Sequence, residues 1–323
     1  MKHLSKLNKI AAGLFFLLAF TACSDDDEAT PPVVETNTIA EFVASNENYS
    51  SLEAALEVTG LTSTLDGTEN YTVFAPDNDA FATFLTDNGF SSLSEVPVAV
   101  LTQLLLNHVQ MGEIMAADLS TGYIESMATG SASEEPLSMY INTEGGVMIN
   151  GVATVTSANI EVDNGIIHAV DEVIGLPSIV TFALADPTFN TLVAALTRED
   201  DFTFVNTLMQ TDAPAPFTVF APTNEAFASL LEELGMSSLE DIPTDLLASV
   251  LSYHVVTEAN VLSTALTDDM EVSTLAGESF TINLENGAMI TDANGRMAEI
   301  IVVDVQANNG VIHVIDTVLL PAM

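Results

Sequence analysis

The stretch Tyr71-Thr72-Val73-Phe74-Ala75-Pro76-Asp77-Asn78-Asp79-Ala80-Phe81 returns 146 residues later as Phe217-Thr218-Val219-Phe220-Ala221-Pro222-Thr223-Asn224-Glu225-Ala226-Phe227. Pro97 returns as Pro243 and His108 as His254 at the same offset. A second stretch, Asn164-Gly165-Ile166-Ile167-His168-Ala169-Val170-Asp171, returns as Asn309-Gly310-Val311-Ile312-His313-Val314-Ile315-Asp316, offset by 145. Landmarks in one order at nearly constant spacing mark the duplication of a whole domain, with a period too long for a solenoid repeat. The next apolar helical pattern starts at Ile179, so the boundary falls at Pro177-Ser178 and the domains span 38–177 and 178–323. A connection this short implies that the two domains touch and hold a fixed orientation.

Each copy reads as α+β. In the first, Thr38 to Ser45 and Ser50 to Val58 carry helical apolar spacing. Thr72 to Ala75 is a short strand ended by Pro76, and Asp77 is placed to cap a helix bearing Phe81, Phe84 and Leu85. Val98 to Asn107 is a further apolar-faced helix. Beyond Gly122 short strands alternate with turns such as Glu144-Gly145-Gly146 and Asp163-Asn164-Gly165. Helices first and strands afterwards give a small sheet with helices on one side. The second copy repeats the order, with a loop at 198–216 that the first copy is expected to lack.

Charge excludes one class of function. All 46 Asp and Glu lie beyond residue 22, where the only basic residues are Arg198 and Arg296; two charges against 46 leave −44 formally. Phosphate contacts supply most nucleic-acid affinity and need Lys or Arg, so nucleic acid and an anionic lipid surface are excluded as partners. The acidity serves either solubility in a salty medium or attraction of calcium or a cationic partner. Nothing matches the D-x-[DN]-x-[DN]-G calcium loop.

Four histidines follow the leader: His108, His168, His254 and His313. Histidine is the obvious general base near neutral pH. All four, however, sit inside the repeated landmarks, equivalently in both copies, as do Asn78 and Asn224. That placement reads as framework. His168 and Asp171, like His313 and Asp316, lie three apart on strands and point to opposite faces. There is no His-x-His, HExxH, cysteine cluster, Gly-rich phosphate loop or G-x-S-x-G turn. The residues therefore imply no catalytic group, no metal and no cofactor. Met139, Met148, Met289 and Met297 read as core or half-buried filler, and Phe74, Phe81, Phe220 and Phe227 as core. The absence of Trp argues against a flat aromatic platform for sugars.

The chain starts with Lys2, Lys6 and Lys9, then the apolar run Ile10 to Phe20, then Thr21-Ala22-Cys23. The run is too short to span a bilayer as a helix. Residues 1–22 thus describe a secretory signal peptide. A lone cysteine directly after it resembles the bacterial lipobox, which implies lipidation of Cys23, although Phe20 stands where that pattern usually has Leu. Ordinary cleavage leaving a free thiol is the alternative. Residues 23–37, with Asp25-Asp26-Asp27-Glu28 and Pro31-Pro32, read as a flexible acidic tether. Ser24-Asp25-Asp26-Asp27 also resembles the signal that carries Bacteroidetes lipoproteins to the outer face of the outer membrane. The expected location is an outer-membrane lipoprotein facing the cell exterior, the periplasmic face being the alternative. Membrane contact runs only through the lipid.

The Phe-Ala-Pro strand, the Asn-x-Ala-Phe after it, the histidine that follows and the Asn-Gly-x-Ile-His-x-x-Asp stretch resemble the fasciclin domain, twice, over residues 38–321. The resemblance implies two wedge-shaped β-sandwiches with packed helices. It also implies an extracellular adhesion or matrix role without catalysis. The family's proposed integrin-contact motifs map onto Tyr253-His254 and Asp304-Val305. The first copy has Asn107-His108 and Asn159-Ile160 instead, which suggests that the copies bind different things. Tyr253, His254, Asp304 and Val305 are the candidate partner-binding residues; the alternative is that they too are framework. The leading expectation is a cell-surface adhesion module for a surface or matrix protein, with an exposed patch at the domain junction or one domain's edge. A polysaccharide or small hydrophobic ligand predicts a cleft near Tyr253 or at the junction after Pro177. A pure spacer predicts neither.

Overall fold

The computed structural model describes residues 37–285 and 287–322. The expected signal peptide, Cys23 and all of the tether before Asn37 lie outside the described residues. Thr38 opens helix α1 (Ile39–Ser45) with a capping box: its Oγ1 accepts from Glu41 N at 3.2 Å, and the Glu41 carboxylate accepts from Thr38 N at 3.1 Å. Helix α2 (Ser50–Thr59) ends at Gly60 with φ 73°, the left-handed C-cap that glycine adopts freely. Then come α3 (Thr62–Leu65), strand β1 (Tyr71–Pro76), α4 (Asn78–Asp87) and α5 (Val98–Leu106). Asp77 caps α4 by accepting from Ala80 N at 2.9 Å. The strands follow: β2 (Val109–Met111), β3 (Gly122–Thr129), β4 (Pro136–Asn142), β5 (Met148–Ile149), β6 (Ala153–Val162) and β7 (Gly165–Val170).

The second copy repeats this order. It has α6 (Ile179–Ala185), α7 (Asn190–Leu196), α8 (Phe204–Leu208), β8 (Phe217–Pro222), α9 (Asn224–Leu234) and α10 (Thr244–Tyr253). Its strands are β9 (Val255–Thr257), β10 (Met270–Ser273), β11 (Ser279–Asn283), β12 (Met289–Thr291), β13 (Met297–Ala307) and β14 (Gly310–Ile315).

The strands run β2-β1-β7-β6-β5-β4-β3 in the first domain and β10-β11-β12-β13-β14-β8-β9 in the second, the same order written from the other edge. Pairing is antiparallel except for β1 with β7 and β8 with β14. The long strands β6 and β13 carry register shifts that bend them, so each serves two leaves. Period-two alternation along β1 divides the core. Val73 and Ala75 meet Leu52, Leu56 and Leu101 from the helices. Phe74 points the other way, into a cluster with Met139, Ile141 and Ile149 between the leaves. Strands covered on both faces need continuous apolar runs, and β1, β7, β8 and β14 are buried at every residue.

The two domains touch through side chains from both. Tyr123 Oη donates to the Asp186 carboxylate at 2.9 Å, and the Tyr123 and Phe182 rings meet edge to face at 5.5 Å. Ser131 N and Oγ bond Asn308, and Gln306 N donates to Ser138 Oγ at 3.0 Å. A Cβ on Gly130 would come within 2.7 Å of Asn308 Cα, so the close approach there requires glycine.

Two expectations need correction. The 198–216 loop is longer than its counterpart but has one: α8 within it stands where α3 stands, each held by the asparagine of the Asn-Gly stretch described below. Met148 and Met297 are not filler: they face solvent at 36% and 55% exposure, Met297 because the alternation along β13 turns Ala298 and Ile300 inward and Met297 outward. Phe74, Phe81, Phe220 and Phe227 are core as expected, each no more than 1% exposed.

Candidate binding sites

The repeated asparagines act as ties between elements. Asn78 Oδ1 accepts from Ser51 N at 2.8 Å and its Nδ2 donates to Glu47 O, which fixes the start of α2 against α4. Asn224 does the same with Thr191 N and Pro187 O. Asn164 Oδ1 accepts from Ile39 N at 2.8 Å, while Nδ2 donates to the Leu65 and Gly67 carbonyls. Asn309 repeats it with Ile179 N and the Leu208 and Gln210 carbonyls.

The histidines tie too. His108 Nδ1 donates to Leu104 O at 2.8 Å and Nε2 accepts from Ile174 N at 2.8 Å. His254 has the same partners one domain on, Val250 O and Leu319 N. His168 and His313 donate from Nε2 to Ile114 O and Val261 O, and accept at Nδ1 from Asn159 N and Asp304 N. Every ring uses both nitrogens on backbone, and that fixes its neutral tautomer. Burial pulls His108 and His254 down to about 4 and lowers His168 and His313 as well, against the opposing pull of each carbonyl acceptor. No ring nitrogen is left to take a proton from a substrate. Asp171 and Asp316 are likewise committed, accepting from Thr154 N and Glu299 N.

Of the four candidate partner-binding residues, three are inside. Tyr253 is 0% exposed, with its ring against Phe280 and its hydroxyl on Ser279 O at 2.8 Å. His254 and Val305 are 4% and 2% exposed. Tyr253 fills with an aromatic ring the place where Asn107, also buried, bonds Ser126 and the Ile174 and Gly175 carbonyls. All three are buried, and the polar atoms of Tyr253 and His254 are taken by the domain's own backbone, so they serve the framework in this conformation. Half-buried Asp304 is also bound: its Oδ1 accepts from Ser263 N at 2.7 Å and its Oδ2 from Ser263 Oγ. Asn159 makes the matching contact to Ala116 N, and both residues sit at positive φ, 59° and 60°, on the bulge of their strand.

That bulge exposes a feature the sequence reading missed. Ile301, Val302 and Val303 are 47%, 39% and 42% exposed. At the same bulge in the first domain stand Thr156, Ser157 and Ala158, also exposed. Aligning the two copies at the Asn-Gly stretch would have shown the contrast. One further difference is internal: an apolar cavity of about 100 Å³ lies among α6, α7, α8 and the sheet, lined by Val180, Leu192, Leu196 and Val205. Its first-domain counterpart is only about 20 Å³.

The basic residues are committed as well. Arg198, with its side chain 5% exposed, donates to the Leu239 and Ile242 carbonyls and to Glu199. Arg296 bonds Glu233, Asp292 and Val318 O. Among the described residues no group of three or more His, Cys, Asp or Glu could hold a metal ion.

Two seven-stranded sheets with helices on one leaf, tied by the same asparagines and histidines, define a duplicated α+β domain of one family. The Fasciclin domain model matches residues 47–177 and again 187–321, and the chain belongs to the fasciclin family. Protein sll1483 of Synechocystis is 42% identical over 146 residues, which cover 45% of this chain and 74% of that protein. Transforming growth factor-beta-induced protein ig-h3 of Sus scrofa is 29% identical over 259 residues, 80% of this chain and 35% of its own length. Periostin of Homo sapiens is 29% identical over 270 residues, 80% of this chain and 29% of periostin. The chain thus spans about a third of the length of these two animal relatives. A FAS1 domain pair from the insect cell adhesion molecule fasciclin I aligns with TM-score 0.49 and 20% identity, over 87% of this chain and 95% of that one. Fasciclin domains occur in cell adhesion proteins and are typically non-enzymatic adhesion modules.

Proposed function

We propose that this chain is a non-catalytic cell-surface module for adhesion or matrix contact, held to the outer membrane by a lipid on Cys23 and facing the cell exterior. The observation that carries the reading is the solvent-facing run Ile301-Val302-Val303, where the sister domain shows Thr156-Ser157-Ala158 on the same bulge. Three adjacent apolar side chains in water favour association, and a partner that covers them accounts for their presence on an otherwise acidic chain. Cells displaying the full chain are expected to adhere to matrix or to neighbouring cells. Exchange of the run for Thr, Ser and Ala removes that adhesion at equal surface amount. Adhesion unchanged by the exchange defeats the reading. For the anchor, Cys23→Ser is expected to abolish lipid labelling and release the protein from the membrane fraction; unchanged labelling defeats that part.

A second reading, a small hydrophobic ligand, is favoured by the apolar cavity of the second domain. At about 100 Å³ it is smaller than the 300–1,000 Å³ usual for ligand sites and suits a molecule of a few heavy atoms, not a sugar chain.

A further inference from the structure

The two domains differ in how one turn closes over the helices. In the second, Ile290 pairs with Ala298 and residues 291–297 lie between them. In the first, Ile149 pairs with Ala153 and only Asn150, Gly151 and Val152 intervene. The longer turn carries Arg296. Its guanidinium donates to the Glu233 carboxylate on α9 at 2.7 Å, to Asp292 at 3.2 Å and to the Val318 carbonyl at 2.7 Å. One arginine thus closes the space between helix, turn and the chain's last segment.

The counterparts of Glu233 and Val318 in the first domain are Asp87 and Val173, at the repeat offsets of 146 and 145. No arginine stands between them. They line an open groove of about 810 Å³ at the domain junction, walled by Phe84, Phe90, Val100 and Val152 and bounded by Thr181 at the start of α6. Asn150 lines the same groove. It is 3% exposed, its Oδ1 accepts from Tyr140 N at 2.7 Å, and its Nδ2 has no hydrogen-bond partner among the described residues. A buried amide donor without an acceptor is a cost that a bound acceptor removes.

We propose that this groove takes an arginine side chain of a partner protein, presented between apolar residues, with the guanidinium on Asp87 and an acceptor of the same segment on Asn150 Nδ2. The sister domain shows the chemistry, since it fills the equivalent space with its own arginine. The occupant comes from another molecule, because Arg198 and Arg296 are the only arginines and both are bound within the second domain. It is not a second copy of this chain, whose strong negative charge repels its like. A carboxylate with apolar walls suits the planar guanidinium better than a compact, strongly hydrated ammonium. The site lies apart from Ile301–Val303 and does not rest on the adhesion reading.

The test presents the full chain to a displayed library of random peptides at about 0.5 M salt, which screens general attraction to an acidic surface. Enriched peptides are then titrated against the parent, Asp87→Asn and Val152→Arg. Val152 is 54% exposed, so the second change fits without repacking and supplies a guanidinium from within the groove. The expected result is enrichment of arginine flanked by apolar residues, with about tenfold weaker binding to each variant and on Arg-to-Lys exchange in the peptide. Melting temperatures near the parent's show that both variants fold. No enrichment, enrichment without arginine, or affinities unmoved by both variants overturns the proposal. So does concentration-dependent dimerisation abolished by Val152→Arg, which assigns the groove to a second copy.

Discussion

Gly165 lies so close to Tyr71 that a Cβ on it would sit 2.0 Å from the Tyr71 carbonyl oxygen; Gly310 stands to Phe217 in the same way, at 2.2 Å. Each glycine opens the strand that pairs in parallel with the Phe-Ala-Pro strand, so the two motifs of the family are in contact. Any side chain here drives that pair apart. Gly165→Ala and Gly310→Ala are each expected to lose more than about 3 kcal/mol in urea unfolding. Gly175→Ala, whose Cβ meets nothing within 4 Å, is expected to stay within about 0.5 kcal/mol. A loss below about 1 kcal/mol at Gly165 contradicts the contact.

The asparagine before each glycine makes three hydrogen bonds to three separate segments. At about 1 kcal/mol each, Asn309→Ala is expected to lose about 3 kcal/mol and to loosen α6 and α8 together. Amide hydrogen exchange checks this: Ile179 N should lose protection more than residues of α10, and uniform loss would argue against a local tie.

Stability should fall in mild acid. His108 and His254 are held near 4 by burial, against about 6.5 in the unfolded chain. Between those values the unfolded chain binds protons that the folded one refuses. The contribution is therefore complete above about pH 6.5 and is lost as pH falls toward about 4. For the two rings together the loss by about pH 5 is of order 4 kcal/mol. Calorimetry at constant ionic strength should show the melting temperature dropping from pH 7.5 to pH 5. A flat profile would mean that the rings are not held neutral.

Arg198 is a structural cation. Its Nη1 donates to Leu239 O at 2.7 Å and to Ile242 O at 2.9 Å, stapling the end of α7 to the turn before α10. Arg198→Lys keeps the charge but not the planar fork, and is expected to lose about 2 kcal/mol in thermal unfolding. An unchanged melting point would show that charge alone suffices there.

Much of the fold was legible because the repeat imposes it. The Asp77 cap, the short strand before it and the α5 helix all follow from local chemistry that two copies state twice. The framework role of the histidines followed from their equivalence. What escaped were faces set by the bulge. Ile300-Ile301-Val302-Val303 looks like a buried strand, but the register shifts in β13 turn three of the four outward while Val305 returns to the core. Tyr253 ends a helix whose apolar positions do not reveal that a ring of β11 receives it. The groove at Asn150 draws on residues from Phe84 to Thr181 and exists because one turn is short. No local pattern records that.

The most direct test of the central claim compares matrix binding by the full chain with that of the triple exchange Ile301→Thr, Val302→Ser, Val303→Ala, with unfolding measured in parallel. Binding weaker by about tenfold or more is expected, with stability within about 0.5 kcal/mol, since exposed side chains contribute little to the fold. Equal binding by the two proteins would contradict the claim and would move the adhesive surface away from the bulge of the second domain.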